Sequence, residues 1–335
     1  MNVAITGCGE MGWAHTRAYL NNKVKIVAVC DVDEKRAKEL AEYAGCNWYT
    51  DLKTMLDSEK VDGLSICTPP FDHIRAIETA SAYKCSILCE KPFVADYSEV
   101  DKAVGIIRDN NITFRIGFKM RYESVYRAAI ETVRSGTLGQ VQFVVISHYQ
   151  CIAPRAWKMS TGIVRELLVH ACDMSCCLFD AFPKTVSLDS TSLLEQFGGD
   201  DRAVLQLGFG PGRKAVIIGG YIKGFTADMA GRNDFVFHVV GEKGHISGLR
   251  NNEVSLVMPG SVKTWRPSEE ISAFDYEMDE FIQASAGKSD KGPSLREAIA
   301  SQLILDYAYR SKEKGCEIET EVPGRYREIF ANWAD

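Results

Sequence analysis

The sequence has no long hydrophobic run and no cluster of basic residues. No apolar stretch reaches the ~18 residues of a membrane-spanning helix, so we expect no membrane segment. The formal net charge is −6 and the lysines and arginines are dispersed, which argues against nucleic acid or an anionic membrane surface as a partner. The first residues form a β-prone run without a signal-peptide pattern, and we therefore expect a cytoplasmic protein.

The 11 cysteines also lack a regular spacing. No C-x-x-C pair is present, so the pattern of a structural zinc site is missing and we expect no metal. Several cysteines, such as Cys30, Cys67 and Cys89, lie inside apolar runs. We interpret them as reduced, small apolar side chains of a cytosolic protein.

A glycine-rich turn follows the first β-prone run and opens a helix; it reads Gly7-Cys8-Gly9-Glu10-Met11-Gly12. Strand, glycine turn and helix are the context of a dinucleotide-binding fingerprint. Its glycines permit the tight turn, the approach of the pyrophosphate and close helix packing. Asp31 ends an apolar strand 19 residues after Gly12, where an acidic residue accepts hydrogen bonds from the ribose hydroxyls of NAD. Its charge would repel the extra phosphate, so NADP is the less favoured cofactor.

The arrangement of predicted elements changes along the chain. Residues 1–118 alternate strands and helices, which is typical of a doubly wound parallel sheet. A long strand is predicted at 139–149, and strands with hairpin turns follow one another from 185 to 259, which indicates an antiparallel sheet. We therefore predict an α/β protein with a Rossmann domain at 1–119. An α+β domain with a large open, mainly antiparallel sheet is expected at 120–335, with its last helices packing back toward the first domain.

Ligands of open α/β sheets bind beyond the carboxyl ends of the strands. Besides the glycine loop, the segments that fall there are Asp31, Thr68-Pro69-Pro70 and Glu90-Lys91-Pro92. Lys91 follows a fully apolar strand, so we expect it beside the nicotinamide half of the cofactor. The alternative is a solvated loop lysine, which is the common case.

Residues 162–179 predict an apolar helix with three ionisable groups on one face. Glu166, His170 and Asp173 are spaced i, i+4, i+7. Burying such groups is costly unless they meet partners, and histidine is the natural proton acceptor near neutral pH. The alternative is an internally satisfied histidine beside two solvated acids.

Together these segments resemble the Gfo/Idh/MocA oxidoreductases, the family of glucose–fructose oxidoreductase and inositol dehydrogenase. The matching motifs are the glycine loop with His15, Asp31, Thr68-Pro69-Pro70 with His73, Cys89-Glu90-Lys91-Pro92, Gly117-Phe118-Lys119-Met120-Arg121-Tyr122, Trp157-Lys158, and Glu166-x-x-x-His170-x-x-Asp173. The likeness covers almost the whole chain. It implies NAD(P)-linked oxidation or reduction of a sugar or cyclitol carbon, and an open sheet that often mediates dimers or tetramers.

The resemblance implies that Lys91 and His170 are catalytic. We place Glu166 with them as a catalytic candidate that holds Lys91 or a neighbouring hydroxyl, at a position where the family usually has aspartate. We expect His170 to accept the proton of a substrate hydroxyl and Lys91 to stabilise the developing alkoxide. The expected cofactor-binding residues are Gly7, Cys8, Gly9, Glu10, Met11, Gly12, Asp31, Thr68, Pro69, His73, Glu90 and Lys91. The expected substrate-side residues are Lys119, Arg121, Trp157, Lys158 and Asp173.

The preferred interpretation is an NAD-dependent oxidoreductase that acts on a small sugar, sugar derivative or cyclitol and forms a homodimer or homotetramer. Three alternatives remain: a glycosidase-like or eliminating enzyme that retains its NAD, an NADP enzyme, and a non-catalytic NAD-binding regulator. Asp31 argues against NADP. A regulator has no need of a proton acceptor such as His170.

Overall fold

Six parallel strands form the first sheet, in the order β3-β2-β1-β4-β5-β6. They are β1 (Asn2–Thr6), β2 (Lys25–Cys30), β3 (Asn47–Tyr49), β4 (Gly63–Ile66), β5 (Ser86–Glu90) and β6 (Phe114–Gly117). The helices between them are α1 (Glu10–Asn21), α2 (Glu34–Ala44), α3 (Leu52–Ser58), α4 (His73–Ala82) and α5 (Val100–Asp109). The strand order reverses at β1 and β4, so their carboxyl ends form the topological switch point of a doubly wound sheet, as predicted.

The computed structural model describes residues 1–151, 161–194, 198–222, 233–249, 253–268 and 270–333. The chain divides into two compact units. The first contains Met1–Tyr122 and Ile271–Gln302, and the second contains Glu123–Glu270 and Leu303–Asp335.

Local sequence signals explain the helix and strand boundaries of the first unit. Asp33 caps α2 by accepting hydrogen bonds from the N–H groups of Lys35 and Arg36, and Gly45 ends that helix in the left-handed region at φ 66°. The strands β1, β2, β4 and β5 are buried along almost their whole length. This burial is expected of a parallel sheet that is covered on both faces.

The core of the first unit joins the sheet to helices from both of its chain segments. Val3 and Ile5 of β1 pack with Tyr19 of α1 and with Met278 and Phe281, which lie on α8 (Ala273–Ser285). All five side chains are fully buried. Truncating one of them to alanine would cost roughly 2–5 kcal/mol of unfolding free energy.

Within the described residues, the second sheet has nine strands in the order β14-β13-β12-β11-β7-β10-β9-β8-β15. They are β7 (Val141–Cys151), β8 (Thr185–Thr191), β9 (Arg202–Gly208), β10 (Lys214–Ile222), β11 (Asn233–Gly241), β12 (His245–Leu249), β13 (Val254–Met258), β14 (Ser261–Trp265) and β15 (Ile318–Glu319). The prediction of a mainly antiparallel sheet is confirmed. The central pair β7 and β10 is parallel, because β8 and β9 separate these strands in sequence.

The other helices are α6 (Ser124–Arg134), α7 (Val169–Phe179), α9 (Leu295–Lys314) and α10 (Arg327–Phe330). No helix among the described residues combines the length and the hydropathy needed to cross a bilayer. Every cysteine is a free thiol, and most of these side chains are buried.

Candidate active site

The glycine loop connects β1 to α1, and two of its glycines have no room for a side chain. Gly7 has φ +91°, and a Cβ there would lie 2.6 Å from the carbonyl carbon of Cys67. A Cβ on Gly12 would lie 2.1 Å from the carbonyl oxygen of Gly7. A Cβ on Gly9 would have no described atom within 4 Å, and Gly9 gives α1 no side-chain cap. The loop is therefore open where a pyrophosphate would approach the helix N-terminus.

The carboxylate of Asp31 lies next to this loop. Its Oδ2 atom accepts a hydrogen bond of 2.7 Å from the backbone N–H of Cys8, and its Oδ1 atom accepts one of 2.9 Å from the N–H of Asp33. Each carboxylate oxygen has a second lone pair, so ribose hydroxyls can still donate to it. The open Gly9 turn and the oriented carboxylate together fit a dinucleotide.

His73 lies between two turns at the carboxyl ends of the parallel strands. Its Nε2 atom is 2.8 Å from the carbonyl oxygen of Thr68, and its Nδ1 atom is 3.0 Å from that of Pro92. Burial lowers the pKa of His73, and the carbonyl contacts offset this only in part. The neutral ring carries one N–H, so it donates a hydrogen bond to only one of these two carbonyls, while the ring itself packs between the Thr68–Pro69 turn and the segment that follows Lys91.

Lys91 follows directly after β5, whose last residue, Glu90, is buried. One oxygen of Glu90 lies 3.1 Å from His15 Nε2, and the other accepts a hydrogen bond of 3.2 Å from the backbone N–H of Lys91. Burial opposes ionisation of Glu90, but the contact with His15 and the charges of Lys91 and Lys119 outweigh it, so the pKa of this carboxyl is lowered. The residue before Lys91 is thus an ionised, buried carboxylate at neutral pH.

Glu277 of α8 completes a buried cluster that the sequence analysis missed. Metal-ligating atoms of His15, Glu90 and Glu277 all lie within 4.8 Å of one another. The charges of Lys91 and Lys119 are among the effects that lower the pKa of the Glu90 carboxyl in this cluster. Glu277 lies 187 residues after Glu90, and no local pattern in the sequence links the two.

The two basic candidates after β6 differ in their surroundings. Lys119 is half-buried, and its Nζ lies 4.6 Å from the ring centroid of Phe274. Arg121 is 8% exposed, and its Nη2 lies 3.8 Å from Oε1 of Glu297. Burial opposes the ionised form of Glu297, yet Arg121 and Arg296 hold its pKa below the usual value. Arg121 therefore neutralises a buried carboxylate of its own unit.

The predicted helix at 162–179 is divided into two kinds of helix. Val164–Leu168 forms a π turn, and α7 begins only at Val169. A π turn has i→i+5 hydrogen bonds and is wider than an α-helical turn. The α-helical spacing expected between Glu166 and His170 therefore does not apply, whereas His170 and Asp173 keep theirs within α7. All three side chains are buried.

Strand β10 makes room for this π turn. A Cβ on Gly219 would lie 2.4 Å from Cδ2 of Leu168, so only glycine allows that leucine to pack on the strand. Burial, and then the negative charge of Glu166, raise the pKa of the neighbouring Tyr221, whose hydroxyl therefore stays protonated. The sequence analysis did not identify Tyr221. The Gly219-Gly220 pair before Tyr221 indicates in the sequence that a bulky segment packs against this part of β10.

Two predicted substrate-side residues, Trp157 and Lys158, lie outside the described residues. The described candidates fall in both units. The glycine loop, Asp31, the turns at Thr68 and Lys91, and Lys119 belong to the first unit, while Glu166, His170 and Asp173 belong to the second.

Comparison with known proteins gives the family of both halves of the chain. Residues 1–118 match the model described as an oxidoreductase family with an NAD-binding Rossmann fold, and residues 126–247 match the Gfo/Idh/MocA C-terminal domain. The chain belongs to the Gfo/Idh/MocA oxidoreductase family. The resemblance deduced from the sequence motifs is confirmed, and the first of the two matching domains is an NAD-binding Rossmann domain.

Several known proteins resemble this chain over nearly its whole length. An inositol 2-dehydrogenase of Rhizobium meliloti (strain 1021) is 26% identical over 321 residues, which cover 92% of this chain and 95% of the relative. A levoglucosan dehydrogenase solved with NADH and levoglucosan has a TM-score of 0.84 at 19% identity, covering 96% and 100% of the two chains. An Agrobacterium radiobacter oxidoreductase solved with NAD+, L-tartaric acid and magnesium has a TM-score of 0.85 at 18% identity, covering 95% and 98%.

Proposed function

We propose that this protein is an NAD-dependent dehydrogenase that interconverts a secondary hydroxyl and a ketone on a sugar, sugar derivative or cyclitol. The similarity to an inositol 2-dehydrogenase over 92% of the chain carries the substrate class, since it includes both matched domains. The orientation of Asp31 beside the open glycine turn supports NAD as the cofactor.

We assign cofactor binding to three parts of the first unit. The turn Gly7–Gly12 would hold the pyrophosphate through backbone N–H groups at the start of α1. Asp31 would accept hydrogen bonds from the ribose hydroxyls. The Thr68–Pro69 turn and Glu90–Lys91 would border the nicotinamide half, with His73 acting indirectly because its ring packs between the two turns.

Bound NAD supplies the hydride acceptor of the reaction. In our proposal His170 accepts the proton of the substrate hydroxyl, a role that general bases usually support by ~10²–10⁴ in rate. Lys91 is a cation at the end of a rigid strand, and it stabilises the negative charge that develops on the same oxygen. In the reverse direction His170 returns the proton to the alkoxide.

The neighbouring groups have supporting roles in this proposal. Glu166 and the neighbouring protonated hydroxyl of Tyr221 provide polar groups beside the turn that precedes His170. Asp173 lies one turn beyond His170 on α7. We assign Lys119 of the first unit to the substrate side. Arg121 remains a substrate-side candidate in this proposal, and it also forms a buried ion pair with Glu297.

We propose a homodimer or homotetramer formed through the outer face of the nine-stranded sheet. This outer face consists of Phe143, Val145, Val204, Val216 and Ile218, of which Phe143 is 46% and Val204 38% exposed. Val216 pairs with Val145, and Ile218 with Val204, so the residues form one apolar patch. Such patches mark interfaces. The free thiols suit the reducing cytoplasm, where we place the protein.

A cofactor-reduction screen tests the function. Purified protein is incubated with NAD and with myo-inositol, other cyclitols, free sugars or nucleotide sugars, and absorbance at the NADH band is followed. We expect sustained NADH formation with at least one secondary alcohol of this set. Product formation without released NADH would indicate the NAD-retaining alternative, and NAD binding without turnover of any compound would favour the regulator.

A further inference from the structure

A buried hydrogen bond joins the helix of the glycine loop to the residue before Lys91. We propose that His15 and Glu90 form a positioning pair that fixes the backbone of Lys91 and keeps an anion beneath its side chain. Neither residue contacts the substrate in this proposal, and both act through Lys91. The inference rests on the proposed function only in giving Lys91 a part in catalysis.

The two oxygens of Glu90 have separate anchors. Oε1 lies 3.1 Å from Nε2 of His15 on α1, and Oε2 accepts the backbone N–H of Lys91 at 3.2 Å. His15 is fully buried and Glu90 is 5% exposed, so water does not compete with either contact. A displacement of α1 or of the Glu90 side chain would therefore disturb the position of Lys91.

The surroundings of the two ring nitrogens indicate which tautomer His15 adopts. Nδ1 is buried and has no hydrogen-bond partner among the described residues. The tautomer with its proton on Nε2 directs that N–H to Glu90, since the carboxylate can only accept. A hydrogen bond to an ionised acceptor contributes more than one between neutral groups, which favours this tautomer.

Gly117 on the neighbouring strand forms the floor under the carboxylate. It lies opposite Glu90 in the parallel register of β5 and β6. A Cβ on Gly117 would lie 3.1 Å from Cδ and 3.2 Å from Oε1 of Glu90. Adding a single methyl group there would move the Glu90 side chain without removing any polar group, and it gives a second way to disturb the pair.

The charges around Glu90 explain why His15 is needed. The titratable groups that face it from the surrounding elements are His15, Cys67, His73, Cys89, Lys91, Lys119 and Glu277. Burial opposes a negative charge on Glu90. The hydrogen bond from His15 is the largest effect that lowers the pKa of this carboxyl.

The experiment compares four variants with the wild-type protein. His15→Leu removes the donor, His15→Gln keeps an N–H donor at a similar reach, and Gly117→Ala displaces the carboxylate. Thr16→Val is the matched control, because Thr16 is a buried neighbour on α1 whose hydroxyl makes no hydrogen bond among the described residues. The pKa of Glu90 is measured by carboxyl 13C NMR and the exposure of the Lys91 amide by hydrogen exchange, both without substrate. Turnover is then measured with the compound identified by the screen.

In His15→Leu we expect the pKa of Glu90 to rise by about one unit or more. The Lys91 amide should exchange faster, and kcat should fall about ten- to a hundredfold, because a small misplacement of a catalytic group is costly. KM and NAD affinity should change little. Gly117→Ala should show the same faster exchange and lower kcat, His15→Gln should recover most of the loss, and Thr16→Val should behave as wild type.

Two results would overturn the inference. One is unchanged exchange of the Lys91 amide in both His15→Leu and Gly117→Ala. The other is a lower melting temperature of these variants with a normal kcat, which would make the pair a purely structural contact. If the wild-type protein oxidises none of the alcohols, the proposed function has failed, whereas exchange and the pKa of Glu90 still decide whether His15 holds Lys91.

Discussion

The backbone N–H of Cys8 donates a hydrogen bond of 2.7 Å to the carboxylate of Asp31, which joins the glycine loop to the end of β2. Because the N–H of Asp33 holds the other oxygen, the carboxylate keeps one orientation before a cofactor binds. A preorganised acceptor avoids the entropic cost of ordering a side chain on binding. We therefore propose that this carboxylate governs both the affinity for the cofactor and the choice between NAD and NADP.

The first prediction concerns this choice. Calorimetry on the wild-type protein should show tighter binding of NAD than of NADP, since the Asp31 carboxylate accepts ribose hydroxyls and repels a 2′-phosphate. Asp31→Asn keeps an oxygen for the Cys8 N–H but loses the charge. It should weaken NAD binding about tenfold or more and narrow the gap to NADP. Equal or tighter binding of NADP by the wild-type protein would refute the assignment.

The second prediction uses two glycines of one loop. Gly12→Ala should lower the melting temperature, because its Cβ would lie 2.1 Å from the carbonyl oxygen of Gly7. Gly9→Ala should leave the melting temperature unchanged, since that position is open, and should weaken NAD binding where the pyrophosphate approaches. Thermal scans and NAD titrations of both variants measure the two effects. Stable Gly12→Ala protein, or unaltered NAD affinity in Gly9→Ala, would contradict this account of the loop.

The third prediction concerns the buried pair of Arg121 and Glu297. The pKa of Glu297 is lowered from its ordinary value near 4.5 in the folded protein. Its ionised form therefore stabilises the fold fully above about pH 4.5, and this stabilisation is lost as the pH falls through the lowered pKa. Glu297→Gln removes the buried negative charge that Arg121 and Arg296 face and should cost roughly 3–5 kcal/mol of unfolding free energy at pH 7.

Denaturant unfolding at several pH values measures this effect. The difference in unfolding free energy between wild type and Glu297→Gln should narrow steadily below pH 4. Glu313→Gln is the control, because Glu313 is exposed on the same helix, and it should match wild type throughout. A difference that stays constant across the pH range would show that the ion pair is not its source.

The fourth prediction concerns assembly through the outer face. Light scattering at micromolar concentration should give the mass of a dimer or tetramer. Val204→Lys places a charge within the apolar patch and should shift the protein toward monomer, while Ser58→Lys, at an exposed position on α3, should not. A monomeric wild-type protein would refute the proposal.

Patterns within short segments predicted much of the fold. The glycine loop, the acidic end of β2 and the alternation of strands and helices are local, and the parallel order of the first sheet follows from them. The similarity of this chain to its family along both halves confirms that interpretation.

Contacts between distant residues could not be predicted in the same way. Glu277 joins His15 and Glu90 from the far end of the sequence, and Arg121 finds its partner in Glu297. The π turn at Val164–Leu168 leaves no mark in the pattern of apolar residues, because its space is created by Gly219 on another strand. In each case packing decides the geometry, and packing depends on residues far apart in sequence.

The fifth prediction concerns catalysis. Lys91→Ala and His170→Ala should each lower turnover, and the double variant should lose far less than the product of the two losses, since in our proposal both groups act on one substrate oxygen. His148→Phe is the control for burial in the second unit. His148 is buried against Phe235, and an aromatic replacement keeps that contact. It should retain near-normal turnover even if its melting temperature falls.

The single-turnover rate of NADH formation by His170→Ala is the most direct test of His170 as the general base. It is measured by stopped flow at saturating NAD with the alcohol that the screen identifies, beside wild type and His148→Phe. We expect the rate of His170→Ala to be lower than that of wild type by a factor of about 10²–10⁴, with NAD affinity nearly unchanged. A His170→Ala rate close to that of wild type would contradict the assignment of His170 as the base.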